Sequence, residues 1–204
     1  LFFNKLNPFS PKKTTVEKAN TWKMWYKVII ACVPAGVIGL LFNDFMEKFE
    51  NWQVVSAMLI LYGIAFIIVE KLQKKTTVTS MDQMSYKTAL TIGAFQVLSI
   101  IPGTSRSGST ILGGMLMGCS REIAAEFSFF LAIPIMFGVS FLKIITHEGA
   151  IEWGLLLVGM VVSYIVSMVA IKFLMNYVKK HSFASFGWYR IVLGVLVIGY
   201  FLVK

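Results

Sequence analysis

Long apolar runs separated by short charged ones organise this chain. Val28 to Asn43, Asn51 to Val69, Phe127 to Leu142 and Trp153 to Ile171 carry no charged residue, and Phe183 to Val203 carries only Arg190. About 20 apolar residues of helix cross a hydrocarbon layer of about 30 Å, so each run predicts a transmembrane helix. Pro34 and Pro134 fall inside two of them, where neighbouring helices or hydroxyls satisfy the carbonyl that a proline frees. The stretch from Thr88 to Ser120 is different, because its 33 residues contain a single charge, Arg106, near the middle. As one helix it would be about 50 Å long, too short for two crossings, while one crossing would strand Arg106 in the membrane centre. Pro102 and Gly103 interrupt it. The pattern therefore predicts a re-entrant hairpin over 88–120, with a second half-helix from near Ser107 and a polar loop at membrane depth.

Charge placement supports the hairpin over a single crossing. With it, Lys5, Lys12, Lys13, Lys18, Lys23, Lys27, Lys71, Lys74, Lys75, Lys87, Arg121, Lys179 and Lys180 all share one side, which the positive-inside rule makes cytoplasmic. The other side receives Asp44, Glu47, Lys48 and Glu50 in one loop and Lys143, His147, Glu148 and Glu152 in another, with Lys204. The expected fold class is an all-α integral membrane protein, a polytopic bundle of five spans plus one hairpin. Residues 1–204 form a single membrane domain, and 1–26 a basic cytoplasmic segment.

Composition agrees: 57% of the 204 residues are hydrophobic, 14% are charged, and the mean hydropathy is +0.74, too apolar for a soluble domain. The net charge of +9 comes from cytoplasmic loops, so no nucleic-acid partner is implied. Cys32 and Cys119 lie in apolar stretches and read as small hydrophobes, with neither a disulfide nor a metal site. Trp22, Trp25, Trp52, Trp153, Trp188 and Tyr189 fall near predicted span ends as interfacial anchors, and Arg190 is placed to snorkel to the cytoplasmic side. The small residues at the ends of Gly114 to Gly118 let helices approach closely, either within the chain or in a homodimer. The chain opens on Leu1-Phe2-Phe3 without a Met or a signal-peptide pattern, so it is expected to lack the N-terminal part of a longer protein.

Chemistry concentrates in Ile101-Pro102-Gly103-Thr104-Ser105-Arg106-Ser107-Gly108-Ser109-Thr110. Gly103 and Gly108 permit turns in which successive N–H groups converge on an anion, and a helix starting near Ser107 adds its positive dipole end. Arg106 contributes a forked, permanently charged donor that fits phosphate oxygens, and Ser105, Ser107, Ser109 and Thr110 add hydroxyls. The segment reads as a phosphate cradle. The structural alternative pairs Arg106 with a carboxylate on another helix. Other phosphate motifs fail: Ser109 stands where a P-loop needs lysine, Leu112 and Phe127 stand where the acid phosphatase pattern needs histidine, and no cysteine precedes Arg106 as a cysteine phosphatase loop requires.

Pro102 to Thr110, followed by Gly113-Gly114-Met115-Leu116-Met117-Gly118 and Glu126-Phe127-Ser128-Phe129, resembles the undecaprenyl-diphosphatase (bacitracin-resistance) family. The likeness runs from Pro34 to Phe42 through Tyr189-Arg190. It implies removal of the terminal phosphate of undecaprenyl diphosphate, a divalent cation (Mg2+ or Ca2+), a bacterial plasma membrane, and an inverted repeat in which 88–120 is the second of two hairpins. By the same resemblance Arg106 grips the diphosphate and, with Ser105, forms the catalytic pair. Gly103, Thr104, Ser107, Gly108, Thr110 and Gln96 bind substrate, with Thr110 supporting the loop. The family's Glu-rich segment with Pro-x-Ser-Ser-Thr-Gly-His, thought to bind metal, has no counterpart here, so the metal ligands are unassigned. His147 and His181 read as loop residues, and Glu126 as a partner for Arg106 or Arg121 or a support for the site. A transporter or flippase for a phosphorylated lipid, or a binding fragment without turnover, would use the same cradle.

Overall fold

In chain order the helices are α1 (Phe3–Leu6), α2 (Thr15–Glu47), α3 (Trp52–Leu72), α4 (Tyr86–Val97) with a 3₁₀ turn at Leu98–Ile100, α5 (Arg106–Leu116), α6 (Arg121–Ile145), α7 (Trp153–Lys180) and α8 (Ala184–Val203). The computed structural model describes residues 2–72, 76–147, 149 and 152–204, and for 43, 44, 46 and 47 the backbone alone. Leu1, Lys74, Lys75 and Glu148 lie outside the described residues, and so do the side chains of Asp44 and Glu47. Among the described residues five helices, α2, α3, α6, α7 and α8, are long and apolar enough to cross a membrane. They are the five expected spans, and the chain is a multi-pass helical membrane protein.

Within the basic segment 1–26, α2 already begins at Thr15, well before the apolar run. Thr14 and Glu17 build a reciprocal cap: Thr14 N donates to Glu17 Oε2 at 2.7 Å, and Glu17 N donates to Thr14 Oγ1 at 3.3 Å. Met24, Val28 and Ala31, spaced along one helical face, are buried in the core. The capped start and the apolar stripe make residues 15–27 part of the first span.

Between α3 and α6 the chain goes in and comes back. Ser85 caps α4 by accepting from Thr88 N at 3.0 Å, and Ser120 caps α6 by accepting from Ile123 N at 3.2 Å. At the base of the hairpin, Thr77 N and Val78 N donate to Gly118 O at 2.9 and 3.0 Å, and Ser120 N donates to Val78 O at 2.9 Å. Entry and exit therefore meet. The 12 residues of α4 and the three of the turn rise about 24 Å, most of a hydrocarbon layer.

Glycines set how closely these helices lie. A Cβ on Gly93 of α4 would come 2.1 Å from Ala31 O of α2, and one on Gly114 of α5 would come 2.9 Å from Ala124 Cβ of α6. The small-residue stripe at Gly114 is thus used inside the chain. Gly63 of α3 and Gly187 of α8 face each other, each Cβ meeting the other's carbonyl oxygen at 2.7 and 2.6 Å, and Gly194 meets Ser56 O at 3.0 Å. This places the Gly187 to Gly194 face of α8 directly on α3.

The base of the bundle is stapled by charge. Glu70 at the end of α3 accepts from Arg121 at the start of α6 and from Phe183 N before α8, the latter at 3.2 Å. Lys179 pairs with Glu122 at 3.1 Å, and Lys27 donates to Met81 O at 2.8 Å. Hence the starts of α6 and α8 and the ends of α3 and α7 share one side, as a hairpin between α3 and α6 requires. On the far side Trp52 stacks on Phe201 with centroids 5.0 Å apart, joining the start of α3 to the end of α8.

Candidate functional site

The loop between the two half-helices is shaped by its own backbone. Gly103 has φ +88° and Ser105 φ +68°, and α5 starts at Arg106 immediately after. Gly103 is required twice over, since a Cβ there would also lie 2.7 Å from Val55 O. Gly108 differs from the expectation of a turn glycine, because it is helical and buried in the first turns of α5. Its role is closeness: a Cβ would meet Ser105 Cβ at 3.3 Å and Phe66 at 3.5 Å. Val55 lies in the first turn of α3, so the loop sits near the end of the bundle opposite the hairpin base.

Ser105 caps α5, its Oγ accepting from Gly108 N at 3.3 Å and lying 3.4 Å from Ser107 Oγ. Ser107 is exposed. Arg106 turns into the protein with Nε and Nη2 buried and without a hydrogen-bond partner, and among the described residues it makes no ion pair. The carboxylate alternative for Arg106 is not realised: Glu126, 1% exposed, pairs with Lys5 at 2.7 Å, and Glu70 takes Arg121. Gln96, also 1% exposed, has its Oε1 buried and unpartnered. Buried donors and acceptors left open cost free energy unless something binds them. Three such atoms, on Gln96 before the loop and Arg106 after it, therefore make this a candidate ligand site.

Two residues expected to bind substrate point elsewhere. Thr104 is fully buried, and its hydroxyl donates to Leu98 O at 3.1 Å and Ile101 O at 2.8 Å, closing the turn. Thr110, 1% exposed, places Oγ1 2.7 Å from Ser128 Oγ of α6 and 3.1 Å from Ser107 O. Its side chain ties the first turn of α5 to α6 and is enclosed by protein. Ser109 is likewise buried, with Oγ 3.1 Å from the Tyr62 hydroxyl and 3.2 Å from Ser105 O.

Arg190 corrects the expectation of a snorkelling arginine. It lies on the α8 face held against α3, and Nη2 donates to Gly103 O at 2.7 Å and Thr104 O at 3.1 Å, with the guanidinium 5.7 Å from the Tyr62 ring centroid. Its Nε is buried and unpartnered. Spacing to Gly187 and Gly194 was the signal that could have turned it inward. His181 stacks on Tyr177 with centroids 4.4 Å apart beyond the end of α7, and His147 is exposed, both away from the loop.

Guanidinium, hydroxyl and N–H groups form an anion-binding set. They do not suit a hard cation, which takes oxygen ligands and above all carboxylates. Among the described residues no three His, Cys, Asp or Glu side chains gather, so they do not make a cation site by themselves.

The family model described as bacitracin resistance protein BacA matches residues 1–196. An undecaprenyl-diphosphatase of Enterococcus faecalis is 56% identical over 211 residues, covering 99% of this chain and 76% of that protein. Those of Lactiplantibacillus plantarum and Desulfitobacterium hafniense are 54% and 52% identical, each over 98% of this chain and over 76% and 75% of their own lengths.

Proposed function

This chain belongs to the bacitracin resistance protein BacA family, and on that premise we propose that the loop at the tip of the α4–α5 hairpin is the head-group site of an undecaprenyl-diphosphatase. The protein hydrolyses undecaprenyl diphosphate to undecaprenyl phosphate and inorganic phosphate, which recycles the lipid carrier. The observation that carries the site assignment is Arg106, which opens α5 between Ser105 and Ser107 in the chain and keeps Nε and Nη2 buried and unpartnered.

In the reaction a water oxygen bonds to the terminal phosphorus while the bond from that phosphorus to the bridging oxygen breaks. Undecaprenyl phosphate leaves with the electron pair, and the proton of the attacking water passes to solvent. Negative charge spreads over the non-bridging oxygens and onto the bridge. Arg106 meets it with a fixed fork, and the N–H groups of the first turn of α5 meet it with the helix dipole. Ser105 and Ser107 donate hydroxyls to the same oxygens. A site already aimed at that charge has little reorganisation left to do, which is where such sites gain their rate. Gln96, near the end of α4 before the loop, offers its open oxygen to a protonated phosphate or to a water. Thr104 and Thr110 act indirectly, by holding the turn.

The divalent cation is a separate proposal, supported by family resemblance and by no ligand cluster on the described residues. No step above runs through it. The bacterial plasma membrane as location is supported by the bacterial relatives and by the gathering of lysines at one end of the bundle.

Purified chain in detergent, given undecaprenyl diphosphate, is expected to release inorganic phosphate, and Arg106→Ala to release none. Movement of the lipid between leaflets of a vesicle without phosphate release would favour transport instead.

A further inference from the structure

The loop's carbonyl oxygens are almost all committed. Ile101 O accepts from Thr104 N at 3.3 Å and from Thr104 Oγ1 at 2.8 Å, and Ser105 O accepts from Ser109 N at 3.0 Å. Among the described residues Gly103 O and Thr104 O accept nothing from within the hairpin, and both are taken instead by Arg190 from α8 at 2.7 and 3.1 Å. A carbonyl oxygen facing a diphosphate would repel it, so where these two oxygens point decides whether the loop is an anion site. The peptide planes they belong to are those around Gly103 and Ser105, the positions with φ +88° and +68°. Such backbone persists only where surrounding structure holds it. Arg190 is itself fixed by the close contact of α8 with α3 and by the Tyr62 ring, whose hydroxyl bonds Ser109.

We infer that Arg190 is a positioning residue, whose Nη2 turns the Gly103 and Thr104 carbonyls away from the bound head group, so that these two oxygens do not oppose it. The inference rests on the loop being the diphosphate site. Arg190 acts through the backbone, whereas Arg106 touches the substrate.

The test measures the dissociation constant of inorganic diphosphate for the detergent-solubilised chain, beside KM and kcat for undecaprenyl diphosphate. Arg190→Met is expected to weaken diphosphate binding and raise KM by about tenfold or more, because two carbonyls lose a charged donor. Both quantities are independent of the fraction of folded enzyme, so a merely structural loss would lower kcat alone. Arg190→Lys keeps the charge on a stem one bond shorter than the one that carries Nη2 to both carbonyls, and is expected to remain several-fold weaker than the unsubstituted chain. Unchanged binding and KM in Arg190→Met would overturn the inference. Full recovery in Arg190→Lys would assign the effect to charge and overturn it too. Should Arg190→Met not fold, the lysine variant carries the decision. Binding is read without turnover, so a failure of the hydrolase reading, seen as no phosphate release from the unsubstituted chain, stays distinct.

Discussion

Ser105 shows how a single residue serves the site and strains the fold. Among the described residues it is the one non-glycine with positive φ, a conformation that costs an L-residue about 1–2 kcal/mol. Its hydroxyl caps α5 and faces the open side of the loop. Ser105→Gly removes the strain and the hydroxyl together, whereas Ser105→Ala keeps the strain and loses the cap. Both should lose most phosphate release, but the glycine variant should be more stable than the alanine variant by about 1–2 kcal/mol in thermal melts. For Arg106, Arg106→Lys keeps the charge without the fork, and kcat should fall about 10²–10³-fold, the cost of losing one aimed donor. Arg106 and Ser105 could be picked out in sequence because hydroxyls and a guanidinium have no packing use in an apolar stretch. Arg190 could not, since a lone arginine one or two turns into a span reads equally as a snorkelling residue.

At the scale of elements, the α4–α5 hairpin depends on places where backbones touch. Gly93→Ala would drive a Cβ to 2.1 Å from Ala31 O, and Gly103→Ala would combine a 2.7 Å contact with Val55 O and a left-handed φ. Gly93→Ala should therefore lower the melting temperature by parting α2 from α4. Gly103→Ala should abolish phosphate release with a smaller loss of stability, because the loop is confined to one end of the hairpin. Melting curves and a release assay on the same samples separate the two. The helix break at Pro102-Gly103 was legible from chain length and one charge. The early start of α2 was also written, in Thr14 and Glu17, but lysines at that end make the segment look like a solvated tail.

The whole molecule is closed at its base by pairs that join distant segments. Glu126 is 1% exposed while Lys5 is 59% exposed. Lys5→Met should therefore destabilise by about 1–3 kcal/mol, leaving a buried carboxylate without its donor. Glu126→Gln should cost less, and the double variant should recover part of the loss of Lys5→Met, as denaturant unfolding in detergent would show. The staples also fix topology. Single cysteines at Lys12 and Lys179 should react with an impermeant thiol reagent from one side of a vesicle, and one at Glu50 from the other. A mismatch would mean that 88–120 crosses the membrane.

The sequence alone determined the number of spans, the hairpin and the side on which lysines gather, and it singled out the segment around Arg106 as the candidate site, because hydrophobic length and buried charge are penalties set residue by residue. Only the tertiary structure decided the partners. It gave Glu126 to Lys5 and Arg121 to Glu70, enclosed Thr104 and Thr110, and brought Arg190 from the last helix to the Gly103 and Thr104 carbonyls. Those outcomes depend on how closely helices far apart in sequence approach, at contacts such as Gly63 with Gly187. No single segment encodes such an approach.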